Sequence, residues 1–325
     1  MIDVIIPAYN AGATIGRAVA SSLAQREVAS VIVVDDCSSD NTADAAYAAS
    51  SGDSRLRVER FACNRGPAAA RNHAFTLAQA SLVSMVDADD WVLPRRFETL
   101  LATPQSWDFV ADNILFVPEA IKSEPLPQTV LEGLADQCRP LGLEEFVDRN
   151  ISRRGHSRGE LGFLKPVFRR ELLALHDLRY AEDVRLGEDF ILYAKAMARG
   201  ARFVLSQRCG YVAIERAGSL SGQHSTHDLR AFHAASTVLA GESRLSNAEK
   251  NMLHAHAASI DVRIKHREFL ERKKAKGLVR ALAPMVSRPF DLVHVLGEVI
   301  RDKQDGFRPI AKPQWRLLLN QSDFA

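Results

Sequence analysis

Nowhere in the 325 residues is there a run of about 18 consecutive apolar residues, so no membrane-spanning helix is expected. Cysteine is scarce: Cys37, Cys63, Cys138 and Cys209 are scattered, with no CxxC pair and no Cys/His spacing suited to zinc. A reduced, cytosolic chain is the expectation. An excess of one charge sign is also missing. The chain has 42 Lys+Arg against 40 Asp+Glu, a net charge of +2, which gives no support to a generally nucleic-acid-coated protein. No GxGxxG follows the first apolar run and no GxxxxGK[ST] occurs, which argues against a dinucleotide dehydrogenase and a P-loop NTPase. The first ten residues hold Asp3 inside a short apolar run and have no basic stretch, so no signal peptide is expected. There is no internal repeat and no low-complexity tract.

What remains is the composition of a globular protein, 46% hydrophobic and 25% charged. A chain of this length buries roughly three quarters of its unfolded surface. Apolar runs at 2–7, 30–34, 56–61 and 82–86 read as strands, and the segments between them have helical spacing, with Ile15, Val19 and Leu23 four apart. Gly66-Pro67 is expected to open a helix over 68–80. Ser38, Ser39 or Asp40 is expected to cap another. Buried strands separated by helices predict a parallel sheet covered on both faces. Further on, 107–117 reads as a strand pair, 118–140 as a loop, 141–175 as partly helical and 190–198 as a helix closed by Gly200. The last hundred residues read as mostly helical.

Two groups of acids stand just past strand ends, on the edge where open α/β sheets bind ligands. Asp87, Asp89 and Asp90 put three carboxylates into four residues. Their repulsion costs stability unless a cation sits among them, and a hard divalent ion with bound phosphates would supply that charge. A plain turn with a helix cap before Pro94 is the simpler alternative. Asp35-Asp36 would suit the imide N–H of a uracil or a base amine, or only a helix cap. In Asn64-Arg65-Gly66 with Ala70-Arg71-Asn72, the glycine permits close approach and Arg71 suits phosphate, unless it is a surface arginine.

Pro7-Ala8-Tyr9-Asn10, Val34-Asp35-Asp36-Cys37-Ser38, the Asn64–Asn72 segment, Asp87-Ala88-Asp89-Asp90 and the later Gly187-Glu188-Asp189 stand in the order seen in family 2 glycosyltransferases. The resemblance covers about residues 1–220 and within the family points to bacterial exopolysaccharide enzymes of the succinoglycan type. It implies an α/β GT-A, Rossmann-like nucleotide-diphospho-sugar transferase fold with a mostly helical C-terminal extension. It also implies an inverting mechanism and a UDP-sugar donor held with Mn²⁺ or Mg²⁺. By position, Pro7, Ala8 and Tyr9 would line the base pocket, Asp36 would bind the uracil edge with Asp35 beside it, and Arg71 would lie near the nucleotide. Asp87 would contact the ribose, Asp89 would hold the metal, and Asp189 would be the general base, expected to be preorganised by backbone N–H groups at its helix start.

Residues 214–221 resemble the family's mobile loop, from which Arg216 or His224 would reach the donor phosphates; 163–170, with Lys165 and Arg169, match its acceptor-side segment loosely. Cys37 stands where the family usually has glycine, so that turn is expected to differ slightly while still binding. The implied organisation is a catalytic domain over 1–225, divided into a nucleotide-binding half, 1–104, and an acceptor half, 105–225, followed by a helical extension over 226–325.

Expected partners are the UDP-sugar and a saccharide or lipid-linked saccharide acceptor, with no nucleic acid. Arg263–Arg280 carries eight Lys/Arg and two Glu, a net +6 in 18 residues, and Phe290, Val293, Leu296 and Ile300 follow at helical spacing. Such a segment suits an anionic membrane surface, so the cytoplasmic location extends to peripheral attachment at the inner face of the cell membrane. The competing functions are a nucleotidyltransferase, which needs a glycine-rich basic loop after the first strand, and a non-catalytic sugar-nucleotide-binding protein. A receiver domain would need no strand ahead of its acid pair, and a lysine after a fifth strand.

Overall fold

The computed structural model describes residues 1–122, 125–151, 161–216, 225–282, 297 and 314–324. The N-terminal third alternates strands and helices as the apolar spacing requires: β1 (Ile2–Ala8), α1 (Ile15–Leu23), β2 (Val28–Asp35), α2 (Thr42–Ser50), β3 (Leu56–Arg60), α3 (Pro67–Leu77) and β4 (Leu82–Met85). These four strands lie parallel in the order β3-β2-β1-β4. Apart from Asp3 and the terminal Asp35, residues on both faces of β1 and of the end of β2 are apolar, and nearly all are buried, as a sheet sandwiched between helices demands.

The remaining elements extend this sheet with reversed strands. They are β5 (Trp91–Val92), α4 (Arg96–Leu101), β6 (Phe109–Pro118), α5 (Gln128–Glu132), β7 (Cys138–Leu141), α6 (Leu143–Asp148), β8 (Val167–Arg169), α7 (Glu171–Leu175), α8 (Glu188–Ala198) and β9 (Phe203–Glu215). β8 pairs antiparallel with β4 and β6, β9 runs parallel to β6, and β5 and β7 pair antiparallel with β9. The stacked rings of Phe109, Phe168 and Phe203, at centroid distances of 4.9 and 5.6 Å, bind β6, β8 and β9 into one core. Asp112 of β6 forms a buried ion pair with Arg96 of α4 at 2.8 Å.

Several expectations are corrected here. The segment 107–117 holds one long strand, β6, not a pair: β9 pairs along its length and β8 along its start, and its residues are buried on both faces. The 118–140 loop contains α5 and β7, and the partly helical 141–175 contains β8. Helix α2 starts at Thr42, flanked by Asn41. The side chain of Asp40 accepts from the Thr42 N–H, and the Ser38 hydroxyl instead accepts from the Asn10 N–H at 2.9 Å. Helix α3 opens at Pro67 as expected, with Gly66 at φ 89 supplying a left-handed entry that L residues rarely adopt.

The C-terminal part adds α9 (Thr226–Leu239), α10 (Asn247–Lys276) and α11 (Leu278–Leu282). Ser225 and Ser246 each close a capping box at the starts of α9 and α10. α10 buries Leu253, His256, Ile260, Ile264 and Phe269. The final described residues return to the main sheet: β10 (Arg316–Leu317) pairs antiparallel with β6, and the Asn113 side chain bonds both the N–H and the C=O of Leu319 at 2.8 Å. Phe290, Val293, Leu296 and Ile300 lie outside the described residues, as do 217–224 with His224.

Candidate active site

The loops after β1 and β2 are laced together. The Asp36 N–H donates to the Ala8 carbonyl at 2.8 Å, and the Asn10 side chain accepts from the Ser39 N–H at 2.9 Å. Asp35 and Asp36 are buried beneath this join. Asp35 accepts from the Ser38 N–H at 2.9 Å and lies 3.4 Å from the Arg60 guanidinium. Asp36 takes the N–H groups of Arg65 and Gly66 on separate oxygens, at 2.6 and 2.8 Å, and so fixes the entry to α3. Cys37 adopts φ 64, the left-handed turn that a glycine would take with less strain. Tyr9 stands out from this ledge, 55% exposed, beside half-buried Pro7.

A second cluster forms where the turn after β4 meets α3, α8 and the segment leading into β8. Asp87 receives the Lys165 ammonium at 2.9 Å and the Arg71 guanidinium at 3.2 Å. Lys165 also reaches Asp189 at 2.9 Å, and Arg71 reaches Glu188 at 2.8 Å. The second oxygen of Asp189 accepts from the Tyr180 hydroxyl at 2.9 Å. Burial opposes the charge on both cations, but Asp189 with Asp87 around Lys165, and Asp189 with Glu188 around Arg71, more than offset it and hold both firmly protonated. Burial also opposes the charge on Asp87, yet the two cations win and bring its carboxyl down to about 2. Glu188 moves the other way, its proton affinity raised by burial and by Asp189 beside it.

The neighbouring carboxylates differ. Asp90 is buried, accepting from the Tyr211 hydroxyl at 2.8 Å and the Ile214 N–H at 2.9 Å, and burial with its two acidic neighbours pushes its carboxyl well up. Asp89 is 37% exposed at the side chain, and burial with Asp87 raises its proton affinity; the nearest counter-charge is Arg216 at 3.5 Å. Among the described residues no group of three or more His, Cys, Asp or Glu side chains converges to hold a metal ion. A divalent cation here would therefore take one protein carboxylate, Asp89, and complete an oxygen shell from phosphates and water. An under-compensated carboxylate at the cleft surface fits that demand.

A family model described as glycosyl transferase family 2 matches residues 3–161. Across 96% of this chain and 90% of its own length, the succinoglycan biosynthesis protein ExoU of Rhizobium meliloti is 44% identical. The chain belongs to glycosyl transferase family 2. A second R. meliloti relative, the succinoglycan biosynthesis protein ExoO, is 32% identical over 90% of this chain and 83% of its own. Among solved structures, residues 1–349 of Staphylococcus aureus TarS in complex with UDP-GlcNAc superpose with a TM-score of 0.63 at 20% identity, covering 98% and 97% of the two chains. A Pyrobaculum calidifontis mannosyltransferase in complex with GDP-Man and Mn²⁺ gives a TM-score of 0.54 at 19% identity, covering 92% and 79%. These likenesses establish the GT-A fold, with a helical C-terminal part, and the enzyme is a glycosyltransferase.

In this glycosyltransferase the residues singled out in the sequence fall into two groups. Pro7, Ala8, Tyr9, Asp35 and Asp36 form the ledge; Arg71, Asp87 and Asp189 form the charged cluster, with Asp89 and Arg216 at its mouth. Arg71 turns toward Asp87 and Glu188, not toward the ledge. Asp189 is held by Lys165 and Tyr180, not by backbone N–H groups as its place at a helix start suggested. The structure thus adds Lys165, Tyr180 and Glu188. The signal for Lys165 in the sequence was only a loose match of its segment, and Tyr180 carried none. The start of α8 also depends on Gly187, at φ 72, where an added Cβ would lie 2.5 Å from the Phe232 ring.

Proposed function

We propose that this glycosyltransferase moves a hexose from a UDP-sugar, with inversion, to a hydroxyl of a saccharide or lipid-linked saccharide acceptor, in the assembly of an exopolysaccharide or other surface polysaccharide. The observation that carries this reading is the meeting of Asp87 and Asp189, 102 positions apart in the chain, on one lysine ammonium near the half-buried carboxylate of Asp89. In this reading a donor-side acid and the base share one small charged site, which supports a single displacement. The names of the relatives, two succinoglycan biosynthesis proteins and a UDP-GlcNAc-bound transferase, support the polymer and the nucleotide.

In this reading the ledge of Pro7, Ala8, Tyr9, Asp35 and Asp36 receives the base, and Asp87 orients the ribose. Asp89 would hold Mn²⁺ or Mg²⁺, which when bound neutralises the diphosphate and makes it a competent leaving group. Arg216, 3.5 Å from Asp89 at the mouth, would add charge to the phosphates. An acceptor hydroxyl has a pKa far above 7, so Asp189 takes its proton as the oxygen attacks the anomeric carbon from the face opposite the diphosphate. That geometry parallels inverting hydrolysis, with the hydroxyl in place of water. The test is acceptor-independent hydrolysis of a panel of nucleotide sugars. UDP-sugars should be cleaved when Mn²⁺ is present, and cleavage should fall to background with chelator. Cleavage confined to GDP- or dTDP-sugars would refute the donor reading.

A further inference from the structure

We infer that Lys165 and Tyr180 are a pair of positioning residues that grip the two oxygens of Asp189 from opposite sides and tie the base to the donor-contacting Asp87. Asp189 is buried, and its oxygens are divided between these two donors: Oδ2 accepts from the Lys165 ammonium and Oδ1 from the Tyr180 hydroxyl, each at 2.9 Å. Two donors on separate oxygens fix the plane of a carboxylate, leaving one lone pair on each oxygen for an incoming hydroxyl.

The clamps are themselves anchored. The Lys165 carbonyl accepts from Arg96 at 2.5 Å, and Arg96 is locked to Asp112 within the core. The Tyr180 ring lies stacked on Phe75 at 5.8 Å. Its backbone is held at both groups by the Asn72 side chain, which accepts from the Tyr180 N–H and donates to its carbonyl, each at 2.9 Å. Asn72, singled out in the sequence beside Arg71, thereby acquires a structural role, since these two residues of one helical turn set Tyr180 and Asp87 in place. Lys165 makes a second ion pair, 2.9 Å from Asp87, so the distance between donor-side acid and base is spanned by a single ammonium.

The inference rests on Asp189 as the base, and a double-mutant cycle separates the two ideas. Lys165→Met and Tyr180→Phe should each lower kcat, by about 100-fold and 10-fold, while UDP affinity changes by less than about 3-fold. In the Asp189→Asn background Tyr180→Phe should not lower kcat further, because a clamp on an absent base has nothing to position, and Lys165→Met should keep only the part of its loss that acts through Asp87. Should Lys165→Met fail to fold, Tyr180→Phe, which keeps ring and packing, carries the cycle alone. Losses that multiply in full in the Asp189→Asn background, or that fall on donor KM with kcat intact, would overturn the inference. If Asp189→Asn itself kept normal kcat, it is the base assignment that fails.

Discussion

At the scale of single residues, the acids after β4 illustrate how differently neighbouring carboxylates fare. Asp87 is drawn down by two cations, Asp90 is satisfied by Tyr211 and Ile214 while remaining reluctant to ionise, and Asp89 has burial and Asp87 against its charge with Arg216 as the nearest offset. A carboxyl whose proton affinity is raised on folding subtracts stability at neutral pH, and that penalty fades as pH falls toward the unfolded value near 4. Asp89→Ala should therefore leave the melting temperature of the ligand-free protein unchanged or higher at pH 7, with the difference shrinking toward pH 4. The same substitution should abolish Mn²⁺-dependent UDP binding and sugar transfer. Calorimetric melting and a UDP titration with and without Mn²⁺ check both halves. Normal Mn²⁺-dependent turnover in Asp89→Ala would show that the metal is held elsewhere.

At the scale of elements, α10 shows how a charge count changes once a helix has partners. Of the bases from Arg263 onward, Lys265 pairs with Asp261 and Arg272 with Glu268, which also takes Arg230 from α9. The helix packs its apolar face, through Leu253, Ile260 and Ile264, against the rest of the molecule, and Phe269 is buried further along it. Exposed Lys273, Lys274 and Lys276 remain at its end, with Leu278 exposed just beyond. We propose that this end meets an anionic membrane surface, where each lysine contributes about 1 kcal/mol. Replacing all three lysines by glutamine should weaken the affinity for phosphatidylglycerol vesicles, read by co-sedimentation at low salt, on the order of a hundred-fold. Salt should erase the binding of the unaltered protein as well. Equal binding to anionic and neutral vesicles at low salt would defeat the proposal.

At the scale of the whole molecule, the N-terminal half was legible because its strands are short, apolar and closed by acids, so fold and ledge were written in local pattern. β9 was not, because Ser206, Gln207 and Arg208 interrupt its apolar run, although Ser206 and Gln207 are buried in place. β8 was missed because three residues give too little pattern to separate strand from helix. Asp189 was legible through its motif, but its holders were not: Lys165 comes from 24 residues before it, and Arg71 meets Glu188 across 117 positions. Contacts of that span depend on the assembled sheet, which brings β4, β8 and α8 to one edge. Function then hinges on whether that assembled cluster performs the transfer. The most direct measurement is kcat for sugar transfer by Asp189→Asn, set beside its affinity for UDP. An amide cannot accept the hydroxyl proton, so kcat should fall by roughly three orders of magnitude or more with UDP affinity nearly unchanged. Unaltered kcat, or a loss confined to donor KM, would contradict it.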